Sequence, residues 1–123
     1  MPNAFVDTNV LIYAADESAE VTRKTRLARQ LLRHRDLYLS VQVLNEFVVN
    51  ARHPGKLNFD PQQEHEWVLR WLLFPVAPLT AATFVEALSI HARHQLSHWD
   101  SLIIAAARES RCTVIYTEDL THG

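Results

Sequence analysis

Cysteine occurs once in the 123 residues, as Cys112, which excludes an internal disulfide and any cysteine-built zinc site. Glycine occurs twice, as Gly55 and Gly123. No phosphate-cradling glycine loop and no G-x-S-x-G nucleophile elbow can be assembled from these. Collagen-like and low-complexity architectures are excluded as well. No run approaches the ~18 consecutive apolar residues of a membrane-spanning helix, so no membrane association is expected. The opening Met-Pro-Asn-Ala-Phe-Val-Asp has no basic stretch followed by a long apolar run, so no signal peptide is read. With a lone thiol, the expected setting is the cytoplasm. Neither charge sign dominates: 12 Lys+Arg against 14 Asp+Glu leave −2. No aromatic-rich basic stretch suggests a stacking platform for single strands.

What is present has ordinary globular make-up, 48% hydrophobic and 21% charged. That apolar content excludes intrinsic disorder, and the length suits one domain over 1–123 with its own core. Charge is placed unevenly: residues 1–60 carry eight basic and seven acidic side chains, and 61–123 carry four and seven. Six of the twelve basic residues fall between Arg23 and Arg35.

Short apolar runs alternate with helical stretches. Ala4-Phe5-Val6 reads as a buried strand, followed by a helical turn or two over Val10 to Ala15. Val21, Leu27, Ala28, Leu31 and Leu32 recur near 3.6 among basic residues, which predicts an amphipathic helix over 21–35 with a cationic outer face. Leu37-Tyr38-Leu39 is a second strand, and Ser40 a cap for a helix whose apolar face is Val43, Leu44, Phe47 and Val48. Asp60-Pro61-Gln62-Gln63 has the form of a capping box with proline at the first helical position, opening a helix to about Leu73. Phe74-Pro75-Val76 is a weak third strand whose prolines suit an edge. Thr80 caps a helix over Ala81 to His94, and Ser97 another to about Ser110. Thr113-Val114-Ile115-Tyr116 is a continuous strand. Apolar strands separated by helices imply an α/β fold, a short parallel sheet flanked by helices.

In such a sheet, ligands bind at the carboxyl ends of the strands. Asp7 follows the first strand directly, and Asp119 lies three residues beyond the last. Asp100 opens one helix and Glu46 lies in another, and both can point to the same end. Each also has a plain reading: Asp7 as a helix cap, Asp100 as part of a capping box, Glu46 as a solvated helix charge, Asp119 as a turn acid. Taken together, crowded carboxylates stay ionised only if a cation neutralises them. Oxygen-only ligands select Mg²⁺ or Mn²⁺ over zinc, the ions of phosphodiester hydrolysis.

Phe5-Val6-Asp7-Thr8-Asn9-Val10-Leu11, Val43-Leu44-Asn45-Glu46-Phe47, the stretch Trp99-Asp100-Ser101-Leu102-Ile103-Ile104-Ala105-Ala106-Ala107 and Tyr116-Thr117-Glu118-Asp119-Leu120 together resemble the motifs of PIN-domain ribonucleases, and most closely the VapC-type toxins of toxin–antitoxin pairs. The resemblance implies a three-layer PIN-like fold and a metal-dependent endoribonuclease acting on RNA. It also implies one or two Mg²⁺ or Mn²⁺ ions, a cognate antitoxin that blocks the site, and a homodimer. Asp7, Glu46, Asp100 and Asp119 match the metal-binding acids; Thr8, Asn9 and Thr117 match the supporting polar residues. Glu118 is an adjacent extra acid, but the Thr-x-Asp spacing favours Asp119. Related toxins continue further after this motif, so a final strand or tail is expected to be missing.

Arg23, Lys24 and Arg26 offer an RNA contact, or else a solvated face. Trp67 and Trp71 lie four apart on one helix face, which suits core packing or a dimer face. His98 stands beside the Asp100 cap. Two alternatives remain. A PIN-like scaffold that binds RNA or protein without cutting needs no ion. An aspartyl-phosphate phosphatase-like domain would use Asp7 as nucleophile, but Thr8 and Asn9 stand where it needs a further acid, and the only lysines are Lys24 and Lys56.

Overall fold

The computed structural model describes residues 3–18, 20–34 and 36–117. The chain runs β1 (Asn3–Val6), α1 (Thr8–Ala15), α2 (Arg23–Leu31), β2 (Leu37–Ser40), α3 (Val41–Arg52), α4 (Pro61–Trp71), β3 (Val76–Ala77), α5 (Ala81–His94), α6 (His98–Glu109) and β4 (Cys112–Tyr116). The four strands form one parallel sheet in the order β3-β2-β1-β4. The crossovers β1→β2 and β2→β3 step one way and β3→β4 steps back. Right-handed connections therefore put α1–α4 on one face and α5–α6 on the other. The step reverses beside β1, between β1 and β4.

Phe5, Val6, Val10, Leu11, Leu39, Val43 and Phe47 are fully buried and form the core on the β1 side. A smaller cluster of Ala87, Ile90, Leu102 and Ala105 joins α5 to α6. Caps fall where the hydroxyl and carboxyl residues promise them. Ser40 accepts from Val43 N–H, Thr80 from Thr83 N–H and Ser97 from Asp100 N–H. Asp60 and Gln63 close a reciprocal capping box. Gln95, in the left-handed region at φ 54°, ends α5. β3 is the edge strand its prolines predicted.

Some boundaries differ from the periodicity. The helix expected over 21–35 is confined to Arg23–Leu31, because Thr22 caps it and Leu32 closes it in a tight turn; Val21 falls outside and is exposed. The helix expected to reach Leu73 ends at Trp71, and α1 begins earlier than expected, at Thr8. Trp71 is buried against Phe47, and Trp67 stacks beside it at 5.4 Å, so this pair is core packing. Among the described residues no helix is long and apolar enough to cross a membrane.

Candidate active site

β1 ends at the sheet centre, and its next residue caps α1. The Asp7 carboxylate accepts from Thr8 N–H at 2.6 Å, while Asp7 N–H donates to the Tyr116 carbonyl at 2.9 Å. That second bond ties the end of β1 to the end of β4 and sets Thr117 beside Asp7. Asp7, Asp100 and Thr117 line one cleft of about 600 Å³ at this end of the sheet. Leu96, Ile103, Ile104, Ala107, Cys112 and Ile115 form its apolar wall, and Arg108 reaches it from two turns beyond Asp100 on α6.

Glu46 approaches from α3. Thr8 Oγ1 donates to Glu46 Oε2 at 2.5 Å, and Gln42 Nε2 donates to Glu46 Oε1 at 3.1 Å and to the Trp99 carbonyl at 3.2 Å. Gln42 is buried, so one amide holds α3 and α6 in register across the site. Asp100 is exposed, and its backbone N–H donates to Ser97 Oγ at 3.0 Å. Only half of the expected capping box forms: Ser97 caps the helix, and no return bond runs from the Asp100 carboxylate to the Ser97 N–H, so the carboxylate's place is in the cleft. Asn9 is partly buried in the first turn of α1.

The charges report on one another. The Asp7 carboxyl is held above its ordinary range, first by burial and then by the carboxylates of Glu46 and Asp100, with the Thr8 N–H pulling the other way. The Cys112 thiol in the apolar wall is pushed up to about 11 by burial, so at neutral pH it is neutral and unreactive.

The donor chemistry suits a hard divalent cation: all donors are oxygen, and a cation would relieve both the burial and the repulsion that raise Asp7. Among the described residues, however, no three His, Cys, Asp or Glu side chains lie close enough to enclose an ion unaided. Glu46 is engaged by Thr8 and Gln42, and Asp119 and Glu118 lie outside the described residues. The acids present would thus hold an ion together with water or a substrate phosphate, the usual arrangement for Mg²⁺.

The basic residues are placed elsewhere. Arg23, Lys24 and Arg26 are exposed on α2 and are absent from the cleft lining. Lys24 Nζ donates to Tyr13 Oη at 3.3 Å, and Tyr13 stands six residues along α1 from Asp7, about 9 Å at 1.5 Å per residue. Gln42 and Arg108 were not singled out in the sequence. Their signal was helical spacing, with Gln42 one turn before Glu46 and Arg108 two turns after Asp100.

The PIN-domain family model matches residues 4–122. No curated protein sequence matches the chain. Among solved structures, the chain is similar to VapC20 of Mycobacterium tuberculosis, a toxin that cleaves the sarcin–ricin loop. The TM-score is 0.75 at 18% identity, covering 94% of this chain and 88% of that one. It is also similar to a chain of a toxin–antitoxin complex from Klebsiella pneumoniae, with a TM-score of 0.69 at 21% identity, covering 89% and 82%.

Proposed function

Because the chain belongs to the PIN-domain family, a family of divalent-metal-dependent nucleases, we propose that it is an endoribonuclease and the toxin of a toxin–antitoxin pair. The observation that carries this reading is the meeting of Asp7 after β1, Asp100 on α6 and Thr117 after β4 around one cleft at the point where the strand order reverses. Asp7 and Asp100 would hold Mg²⁺ or Mn²⁺, one ion or two, with Asp119 completing the set. Glu46 would act as a further ligand or hold a water bound to the ion. The bound ion supplies charge neutralisation at the phosphate and a more acidic water. The chain's own residues do the positioning. Thr8 orients Glu46, the Asp7–Tyr116 bond fixes the first acid, and Thr117 offers a hydroxyl beside it. Asn9 supports the same turn, and the Leu96–Ile104 wall keeps water from one side of the cleft.

RNA is the substrate, with Arg23, Lys24 and Arg26 as a peripheral backbone contact. The same reading includes a cognate antitoxin covering the cleft, a cytoplasmic setting and a homodimer. A second copy would cover apolar side chains left exposed on α4 (Leu69), in the turn after it (Leu72, Leu73) and on α5 (Val85, Leu88).

The test is cleavage of total tRNA and rRNA with Mn²⁺, with Mg²⁺ and with EDTA. Cleavage is expected with the ions and not with EDTA. In Asp100→Asn, which keeps the backbone cap but removes the charge, it is expected to fall by on the order of a hundredfold, the scale of losing one charge-stabilising group. Absence of cleavage with any ion, joined to absence of any metal effect on melting, would replace this reading with the non-catalytic scaffold.

A further inference from the structure

Three aromatic rings meet at the start of α6: neighbours His98 and Trp99, and Phe84 from α5. Phe84 of α5 packs edge-to-face on His98 of α6 at 5.7 Å and 70°, and His98 packs edge-to-face on Trp99 at 5.5 Å and 68°. The row lies at the surface: Phe84 is 46% exposed and Trp99 61%. Asp100 is the residue that follows Trp99 on α6. The Trp99 carbonyl is gripped by Gln42, whose amide also donates to Glu46. The backbone that carries the largest exposed ring is therefore held in register with Glu46.

We propose that Phe84, His98 and Trp99 form a platform on which unpaired bases of an RNA strand stack, with Trp99 placing the base next to the phosphate that sits at the acids. The proposal rests on the ribonuclease reading and adds to it the strand's path and a positioning residue. Stacking recognises the π-face common to all bases, so it suits single-stranded RNA. It also uses the neutral part of the nucleotide, so the attraction at the ring does not depend on the strand's charge. A second copy of the chain is the competing occupant, since Val85 and Leu88 of the same helix are exposed. The centre of a protein interface is depleted in charged residues, whereas Trp99 is flanked by Asp100 and, through Gln42, by Glu46. That favours RNA.

The experiment measures binding of a labelled single-stranded decaribonucleotide of mixed sequence by anisotropy, in EDTA and again in Ca²⁺, a hard cation that neutralises carboxylates. Wild type, Trp99→Phe and Trp99→Ala are compared, with sedimentation of each. Stacking contributes about a ten- to hundredfold in affinity per base. Trp99→Ala is therefore expected to weaken binding by that factor, and Trp99→Phe to stay within about threefold of wild type by keeping a ring. All three should sediment alike and melt alike, because the side chain is mostly in solvent. An abasic strand of equal length should bind wild type and Trp99→Ala equally.

Equal binding of the bearing-base strand by wild type and Trp99→Ala overturns the proposal, as does no binding by wild type. So does a change of oligomeric state in Trp99→Ala, which would make the row an interface between copies. The two readings fail separately. Trp99-dependent binding without metal-dependent cleavage removes the nuclease and leaves the platform; cleavage with a KM indifferent to Trp99→Ala removes the platform and leaves the nuclease.

Discussion

The carboxylate of Asp7 accepts from the Thr8 amide and feels the negative charges of Glu46 and Asp100 at the same time. Burial is the largest influence on it, and burial and both carboxylates favour its protonated form. The folded protein therefore holds this proton more tightly than the unfolded chain does. It follows that stability in the absence of an ion falls as pH rises between the ordinary carboxylate pKa and the raised folded value. The lost stability is recovered as pH drops below the ordinary value. Asp7→Asn removes the charge and keeps a side chain that caps nearly as well. In EDTA at neutral pH the variant is expected to melt above wild type, and the difference should close as the pH is lowered through the carboxylate range. A variant that melts lower at neutral pH would mean that the cap bond outweighs the charge. In the sequence this residue reads equally as cap and as ligand. The structure explains the tie: the strand runs straight into the helix, so the cap position and the carboxyl end of the sheet are one place.

Helix starts were legible because a cap is a bond between residues three apart, made whatever the rest of the chain does. Ser40, Asp60, Thr80 and Ser97 all cap as their side chains suggest. The far end of α2 was less legible, since the apolar period continues to Leu32 while the backbone already turns there. Contacts between elements were not legible at all. Gln42 reaches across to Trp99, and Phe84 to His98, only because α3 meets α6 and α5 lies along it. The four caps do not carry equal weight for the site, because α3 alone presents both Gln42 and Glu46. Ser40→Ala removes the α3 cap bond to Val43 N–H, 3.2 Å long and buried. The expected loss is about 1 kcal/mol of unfolding free energy. Urea unfolding should show this as a lower midpoint at unchanged slope. A midpoint equal to wild type would show that packing alone fixes this helix start.

At the scale of the whole molecule, the strand order brings together carboxylates that are far apart in the unfolded chain. β1 lies between β2 and β4, Asp7 follows β1, and Asp100 and Glu46 arrive on helices from opposite faces. Parallel strands and the acids' positions near strand ends made the convergence readable from the sequence. The separation of the basic α2 residues from the cleft was not readable, because it depends on how α2 crosses α1. Asp119 lies outside the described residues. Since the acids are neighbours only when folded, an ion that they share binds the folded state and not the unfolded one. Mn²⁺ at a hundredfold excess over its Kd should then add about 2.7 kcal/mol to stability, read as a rise in Tm. NaCl at matched ionic strength controls for screening, which largely removes interactions between exposed charges more than about 10 Å apart at 0.1 M. The rise should be absent in Asp7→Asn and in Asp100→Asn. The Asp7→Asn melting curve is therefore expected to lie above wild type in EDTA and to gain nothing from Mn²⁺, while wild type climbs. Climbing of Asp7→Asn in step with wild type would place any bound ion away from the end of β1. A wild type that is indifferent to Mn²⁺ and Mg²⁺ would leave Asp7 as a cap whose charge the fold merely tolerates.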